Sequence, residues 1–187
     1  MSIINAAASF SHHILAPDST CPNNLLLPVL YYKHVLHLPE NAQQAVEDLW
    51  LKNGWANSWT NGIFTYHHYH STAHEVLAVI AGNCMLELGG DDGNIQTLSK
   101  GDVIILPAGV AHKNVGASAD FVCMGAYPTG QEYDMNYCKA EEMANAIKNI
   151  EALELPEKDP VFGDDGPLIN IWKHQPTIKL MDEENQF

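Results

Sequence analysis

The sequence has no arginine: its nine basic residues are all lysines, set against twenty-three acidic residues for a formal charge of −14. Such a balance repels the phosphate backbone of nucleic acids and anionic lipid surfaces, so neither a nucleic acid nor a membrane is expected as a partner. The missing guanidinium also removes the planar fork that grips carboxylates and phosphates in pairs of hydrogen bonds. A substrate anchored by such a clamp is therefore disfavoured. No apolar run approaches the roughly 18 residues that a membrane-spanning helix needs. The first 22 residues hold no lysine and no long apolar stretch, unlike a secretory signal, and a cytoplasmic location is expected. Cysteine is sparse as well. Cys21, Cys84, Cys123 and Cys138 are widely spaced without a C-x-x-C pair, which predicts reduced, buried thiols.

A chain of 187 residues closes one sizeable core more readily than two. The expected organisation is one domain: an N-terminal arm over 1–60 with a strand and an amphipathic helix, a core over 61–128, and a C-terminal helix and tail over 129–187. Val29 to Val35 is rich in β-branched and aromatic residues between Pro28 and Pro39, and predicts a strand. Ala42, Ala45, Val46, Leu49 and Trp50 then recur at helical spacing before a stop at Asn53-Gly54. Trp50, Trp55 and Trp59 cluster there and are expected to pack against the core.

From Ile63 to Tyr127 short strand-like runs alternate with Gly, Asn and Asp: Ile63 to His70, Glu75 to Ala81, Met85 to Leu88, Ile95 to Leu98, Val103 to Leu106, and Phe121 to Ala126. Many short strands predict an all-β sandwich or barrel. Gly89 to Gly93 is expected to be a hairpin connection, since no phosphate-loop spacing is present. Met143, Ile147 and Ile150 predict a second helix, Leu168 to Trp172 a last edge strand, and Asp182-Glu183-Glu184 a solvated tail.

Four of the ten histidines fall between His67 and His74. In an extended chain His68 and His70 project to one face with Tyr66, while His67 and Tyr69 point away. Glu75 follows after a short turn and can bring a carboxylate to the same spot. The Pro107-x-Gly109 turn re-aims the chain before His112, which supplies a third imidazole. His68, His70, Glu75 and His112 together suit one divalent transition metal ion, with iron, manganese, nickel and zinc all permitted. An octahedral ion would keep two open positions, which points to chemistry rather than to a structural staple. Glu75, as ligand and proton acceptor, and Tyr66, as a donor to bound substrate, are the candidate catalytic residues. His67 and His74 are expected at the surface or orienting a ligand, Lys113 in solvent, and Tyr127, Gln131, Tyr133 and Asp134 at the rim.

The spacing Gly62-x5-His68-x-His70-x4-Glu75-x6-Gly82 resembles the first cupin motif at every position, and Gly101-x5-Pro107-x-Gly109-x2-His112 resembles the second through its histidine. The Asn that would close the second motif is replaced by Gly116, a turn position rather than a ligand. The resemblance implies a cupin jelly-roll β-barrel with a few peripheral α-helices, the metal in its mouth, and a homodimer. Residues 53–59, 66–75, 125–131 and 163–168 are similar, more closely, to an RmlC-like single-domain bacterial cupin family without an assigned reaction. The expected function is that of a metal-dependent oxidoreductase, dioxygenase-like, acting on a small neutral, phenolic or enediol compound. A metal-dependent isomerase or lyase of a sugar-like compound and a non-catalytic small-molecule-binding module are the alternatives.

Overall fold

The computed structural model describes residues 2–5 and 7–173. Among these residues nine strands run in chain order: β1 (Ser9–Leu15), β2 (Asn24–Lys33), β3 (Trp55–Asn61), β4 (Glu75–Ala81), β5 (Asn83–Leu88), β6 (Asn94–Ser99), β7 (Val103–Leu106), β8 (His112–Ala117) and β9 (Val122–Pro128). Helix α1 (Ala42–Lys52) lies between β2 and β3, and α2 (Met143–Ala152) and α3 (Pro167–Trp172) follow the last strand. The strands form a six-stranded sheet, ordered β1-β2-β7-β4-β9-β3, and a three-stranded sheet, ordered β6-β5-β8. Every pairing within them is antiparallel.

The large sheet is covered on both faces, which is why its inner strands are continuously apolar rather than alternating. Val29, Tyr31, Leu77, Val79, Ile104 and Leu106 join Leu86 and Leu88 of the small sheet in one buried cluster. Their sequence neighbours Leu30, Tyr32, Val76, Ala78, Val103 and Ile105 form a second cluster with Val46 and Trp50 of α1 and Leu168 and Trp172 of α3. Period-2 alternation therefore sorts one hydrophobic run between two cores. It also decides that Glu75, two residues before Leu77, enters the space between the sheets.

Several local expectations change. Residues 63–70 form no regular strand; they meet β8 through an isolated His68–His112 bridge. Leu168 to Trp172 is helical rather than an edge strand: Pro167 opens the helix, and Leu168 N–H is held by the Tyr32 hydroxyl and Asp159. Strands β1 and β3 were not legible, and half of the large sheet precedes residue 62. The expectation of four reduced thiols is corrected too. Cys21 and Cys138 form a disulfide with Cα atoms 4.7 Å apart, whereas Cys84 and Cys123 are free and buried. Sequence spacing could not show this, because 117 residues separate two sulfurs that only the closed fold brings together. The acidic stretch Asp182 to Glu184 lies outside the described residues.

Candidate metal centre

His112 opens β8 opposite Leu88 of β5, so it shares the inward face with Leu86 and Leu88. Gly109 sets up this entry: its φ of 93° is in the left-handed region, a Cβ there would meet the Asn23 carbonyl at 2.4 Å, and its N–H donates to the His70 carbonyl at 2.8 Å. The turn thus ties the second histidine segment to the first. His68, His70 and His112 are all buried, and their ligand nitrogens lie within 4.8 Å of one another. Glu75 Oε2 stands 3.3 Å from His112 Nε2 and 3.5 Å from His70 Nε2.

Second partners fix which nitrogen of each ring is free. Nδ1 of His68 lies 3.3 Å from the Tyr66 carbonyl, Nδ1 of His112 lies 3.1 Å from the Val110 carbonyl, and Nδ1 of His70 bonds the Asp134 carbonyl. A carbonyl only accepts, so each Nδ1 carries the hydrogen and the Nε2 lone pairs are left for the shared space. Metal-bound histidines are oriented in this way. Glu75 Oε1 accepts from the Tyr127 hydroxyl at 3.0 Å, while Oε2 is buried without a hydrogen-bond donor. An orphaned carboxylate oxygen facing imidazole lone pairs is costly unless a cation joins them, so this donor set fits a divalent first-row ion.

The charges around the site respond to burial and to one another. Burial lowers the His68 pKa to about 3, with His112 acting in the same direction. Burial would also lower His70, but the Glu75 carboxylate outweighs it and the pKa rises. Glu75 is pushed up by burial and more strongly down by His70 and His112, leaving it ionised.

His68, His70, Glu75 and His112 line a cavity of about 430 Å³ whose walls include Trp59, Phe64, Tyr66, Tyr127, Tyr133 and Tyr137. No lysine lines it. Gly125 permits one of these walls: it faces Trp59 across the β3–β9 pairing, and any Cβ would sit 2.3 Å from the indole. The Trp59 ring can then donate from Nε1 to the Tyr127 hydroxyl at 3.1 Å. Trp59 was expected only to pack, and nothing in its sequence neighbourhood signalled this hydrogen bond.

Tyr66 lines the cavity with the ligands, as alternation predicts, but is exposed at its rim and stacked on Phe64 with ring centres 4.8 Å apart. Tyr127 and Tyr133 also line it, stacked at 4.6 Å. Gln131 and Asp134 do not. Gln131 receives the His74 N–H, and Asp134 binds Ser71 and Thr72 through its carboxylate. His67 lies on the outer face beside Glu87 and Asp91, where Lys113 pairs with Glu87 at 2.7 Å instead of standing free in solvent. His74 is fully buried and accepts the Ala108 N–H at Nδ1.

Residues 59–124 match the family model of the cupin domain. Protein YjlB of Bacillus subtilis is 39% identical over 155 residues, covering 83% of this chain and 92% of that protein. The chain belongs to the cupin family. Among solved structures, acireductone dioxygenase from Bacillus anthracis with a cadmium ion in its active centre is similar at 18% identity and a TM-score of 0.41, covering 58% of this chain and 83% of that one. The epimerase RmlC from Legionella pneumophila is similar at 14% identity and a TM-score of 0.38, covering 65% and 72%. YjlB is described as uncharacterised, so it brings this cupin no substrate.

Proposed function

We propose that this cupin is a metal-dependent oxidoreductase, dioxygenase-like, that acts on a small neutral, phenolic or enediol compound. The observation that carries the reading is one cavity: three imidazoles and a carboxylate meet in it, its walls are aromatic, and among the described residues no lysine lines it. A volume of about 430 Å³ suits a one-ring compound. Flat walls such as Tyr127 and Tyr133 can stack on a ring, whereas a carboxylate or phosphate would find neither guanidinium nor ammonium.

A divalent iron, manganese, nickel or zinc ion held by His68, His70, Glu75 and His112 would supply Lewis-acid chemistry or, if iron, oxygen chemistry. The protein's own groups do the rest. Glu75, with Oε1 on the Tyr127 hydroxyl, is placed to accept a proton from a bound hydroxyl. Tyr66, at the rim, can close over a ring already in the cavity. The same reading takes the protein as a cytoplasmic homodimer, and β1 is one edge of the large sheet that could pair, with Phe10 and Ile14 exposed.

Elemental analysis of untagged protein, beside a His68→Ala/His70→Ala variant, tests the ligand set: near-stoichiometric metal is expected in the parent and none in the variant. Oxygen uptake by the iron-loaded protein is then measured with catechols, other diols and enediols. No uptake across that panel, with turnover of a sugar-like ketone under nitrogen in the zinc form, would replace the oxidoreductase by an isomerase.

A further inference from the structure

Tyr66 and Tyr137 line two cavities at once: the metal-ligand pocket and a neighbouring open cavity of about 630 Å³. Thr20, Lys139 and both sulfur-bearing residues of the disulfide line the second. Cys21 is 1% exposed and sits against Gly90, where a Cβ would stand 3.2 Å from its sulfur. Cys138 lines the same cavity and is only partly buried, which makes it the more open residue of the pair.

The backbone at Cys138 is held from two sides. Its φ of 55° is in the left-handed region that a non-glycine residue adopts only when its surroundings impose it. The N–H groups of Tyr137 and Lys139, on either side, donate to one carboxylate oxygen of Glu142 at 2.8 and 3.1 Å. The sulfur–sulfur bond ties the same residue to the N-terminal arm, and Tyr137 packs its ring against Tyr66 at 6.0 Å.

We propose that Cys21–Cys138 is a thiol-exchange site for a low-molecular-weight thiol, and that opening it releases the Tyr137 wall of the metal-ligand pocket. The exchange is independent of the function proposed above; its effect on the wall concerns that same pocket. The thiolate of the small thiol bonds to Cys138 Sγ as the Cys21–Cys138 bond breaks, and the electron pair departs on Cys21 Sγ, which takes up a proton. The Thr20 hydroxyl lies 3.8 Å from that sulfur and can hydrogen-bond the departing thiolate. A second small thiol then attacks the mixed disulfide, leaving Cys138 as a thiol and releasing the oxidised small disulfide. Two electrons pass from two thiols to the protein, and each cysteine gains one proton. In a reducing compartment such a bond is transient and regulatory rather than a permanent staple.

The test equilibrates the full-length, metal-loaded protein with graded ratios of reduced to oxidised glutathione, under conditions where it stays folded. Intact-mass and peptide analysis after acid quenching should find thiols at Cys21 and Cys138, and one transient glutathione adduct on Cys138. Backbone hydrogen exchange should accelerate at Tyr137 and Lys139 by about tenfold or more, with β4 and β9 unchanged. A folded Cys138→Ser variant should show the same local acceleration with no small thiol added. Reduction only after unfolding, an adduct on Cys21, or unchanged exchange at Tyr137 and Lys139 would overturn the proposal. Acceleration spread over β4 and β9 would also overturn it, because the bond would then hold the whole fold.

Discussion

Tyr127 donates its hydroxyl hydrogen to Oε1 of Glu75 at 3.0 Å, and this one bond divides the carboxylate into an oxygen with a donor and an oxygen without. The pair lies on the inward faces of β9 and β4, in a register where Leu77 meets Gly125. A phenol beside a buried carboxylate holds the anion in place without adding charge.

Replacing Tyr127 by Phe keeps the stack on Tyr133 and the edge contact with His70 but removes the donor. Glu75 Oε1 is then buried without a partner, which costs about 1–3 kcal/mol of stability in the metal-free protein. Metal affinity should fall by about 10- to 100-fold, the usual effect of losing a partner that orients a ligand. Chelator competition gives the affinity and urea unfolding the stability. Equal affinity in the two proteins would show that Tyr127 does not position Glu75.

Asp134 acts on His70 through the backbone. Its carbonyl accepts from Nδ1 of His70, while its carboxylate accepts from the N–H groups of Ser71 and Thr72 and from the Asn136 side chain. An Asp134→Ala variant frees the segment that carries the carbonyl and should weaken metal binding by about tenfold or more. Adding Tyr127→Phe should then weaken it further by a similar factor, because the two residues hold different ligands. A double variant no weaker than the weaker single variant would mean that both act through one group.

Metal binding should depend on pH with a definite sign. In the metal-free protein Glu75 raises the His70 pKa above its ordinary 6.5, against the effect of burial. An ion must therefore compete with a proton that His70 holds more tightly than an ordinary imidazole does, and occupancy against a fixed chelator should fall as pH drops. Calorimetry in two buffers of different ionisation heat should detect proton release on metal binding that grows as the pH is lowered. Occupancy that stays level from about pH 8 to about pH 5 would exclude imidazole ligation.

What was legible in the sequence follows the range of the forces involved. Strands β4 and β7 were bounded at the right residues because their apolar runs are broken sharply by Gly and Pro. The His68/His70 alternation held although residues 63–70 form no regular strand, because an extended backbone alternates with or without a ladder. Strand β1 was missed because almost all of it is exposed, so no hydrophobic pattern marks it. The residues that orient the ligands were the hardest to read. Asp134 acts through a carbonyl that every residue has, and Tyr127 and Trp59 meet only once Gly125 lets an indole lie across β9. The disulfide was hidden for the same reason, being a contact between segments far apart in the chain.

His74 sets a further pH dependence, apart from metal uptake. Burial lowers its pKa to about 3, and it stays neutral in the folded protein with Nδ1 accepting the Ala108 N–H and its ring 4.9 Å from that of Trp172. The unfolded chain takes a proton at His74 below about pH 6.5 and the folded chain does not until about pH 3, so the unfolded state binds more protons throughout that window. The His74 contribution to the stability of the metal-free protein must fall with pH there, by up to about 1.4 kcal/mol per pH unit. His68, lowered to about 3 mainly by burial, adds a slope of the same sign. A His74→Leu variant leaves the Ala108 N–H unpaired and should be less stable by about 1–3 kcal/mol at pH 7.5. Its stability should nevertheless decline less steeply toward pH 5.5, so that the two curves converge. Urea unfolding at pH 7.5, 6.5 and 5.5 in the presence of chelator decides it: parallel curves would mean that His74 takes up its proton as readily folded as unfolded.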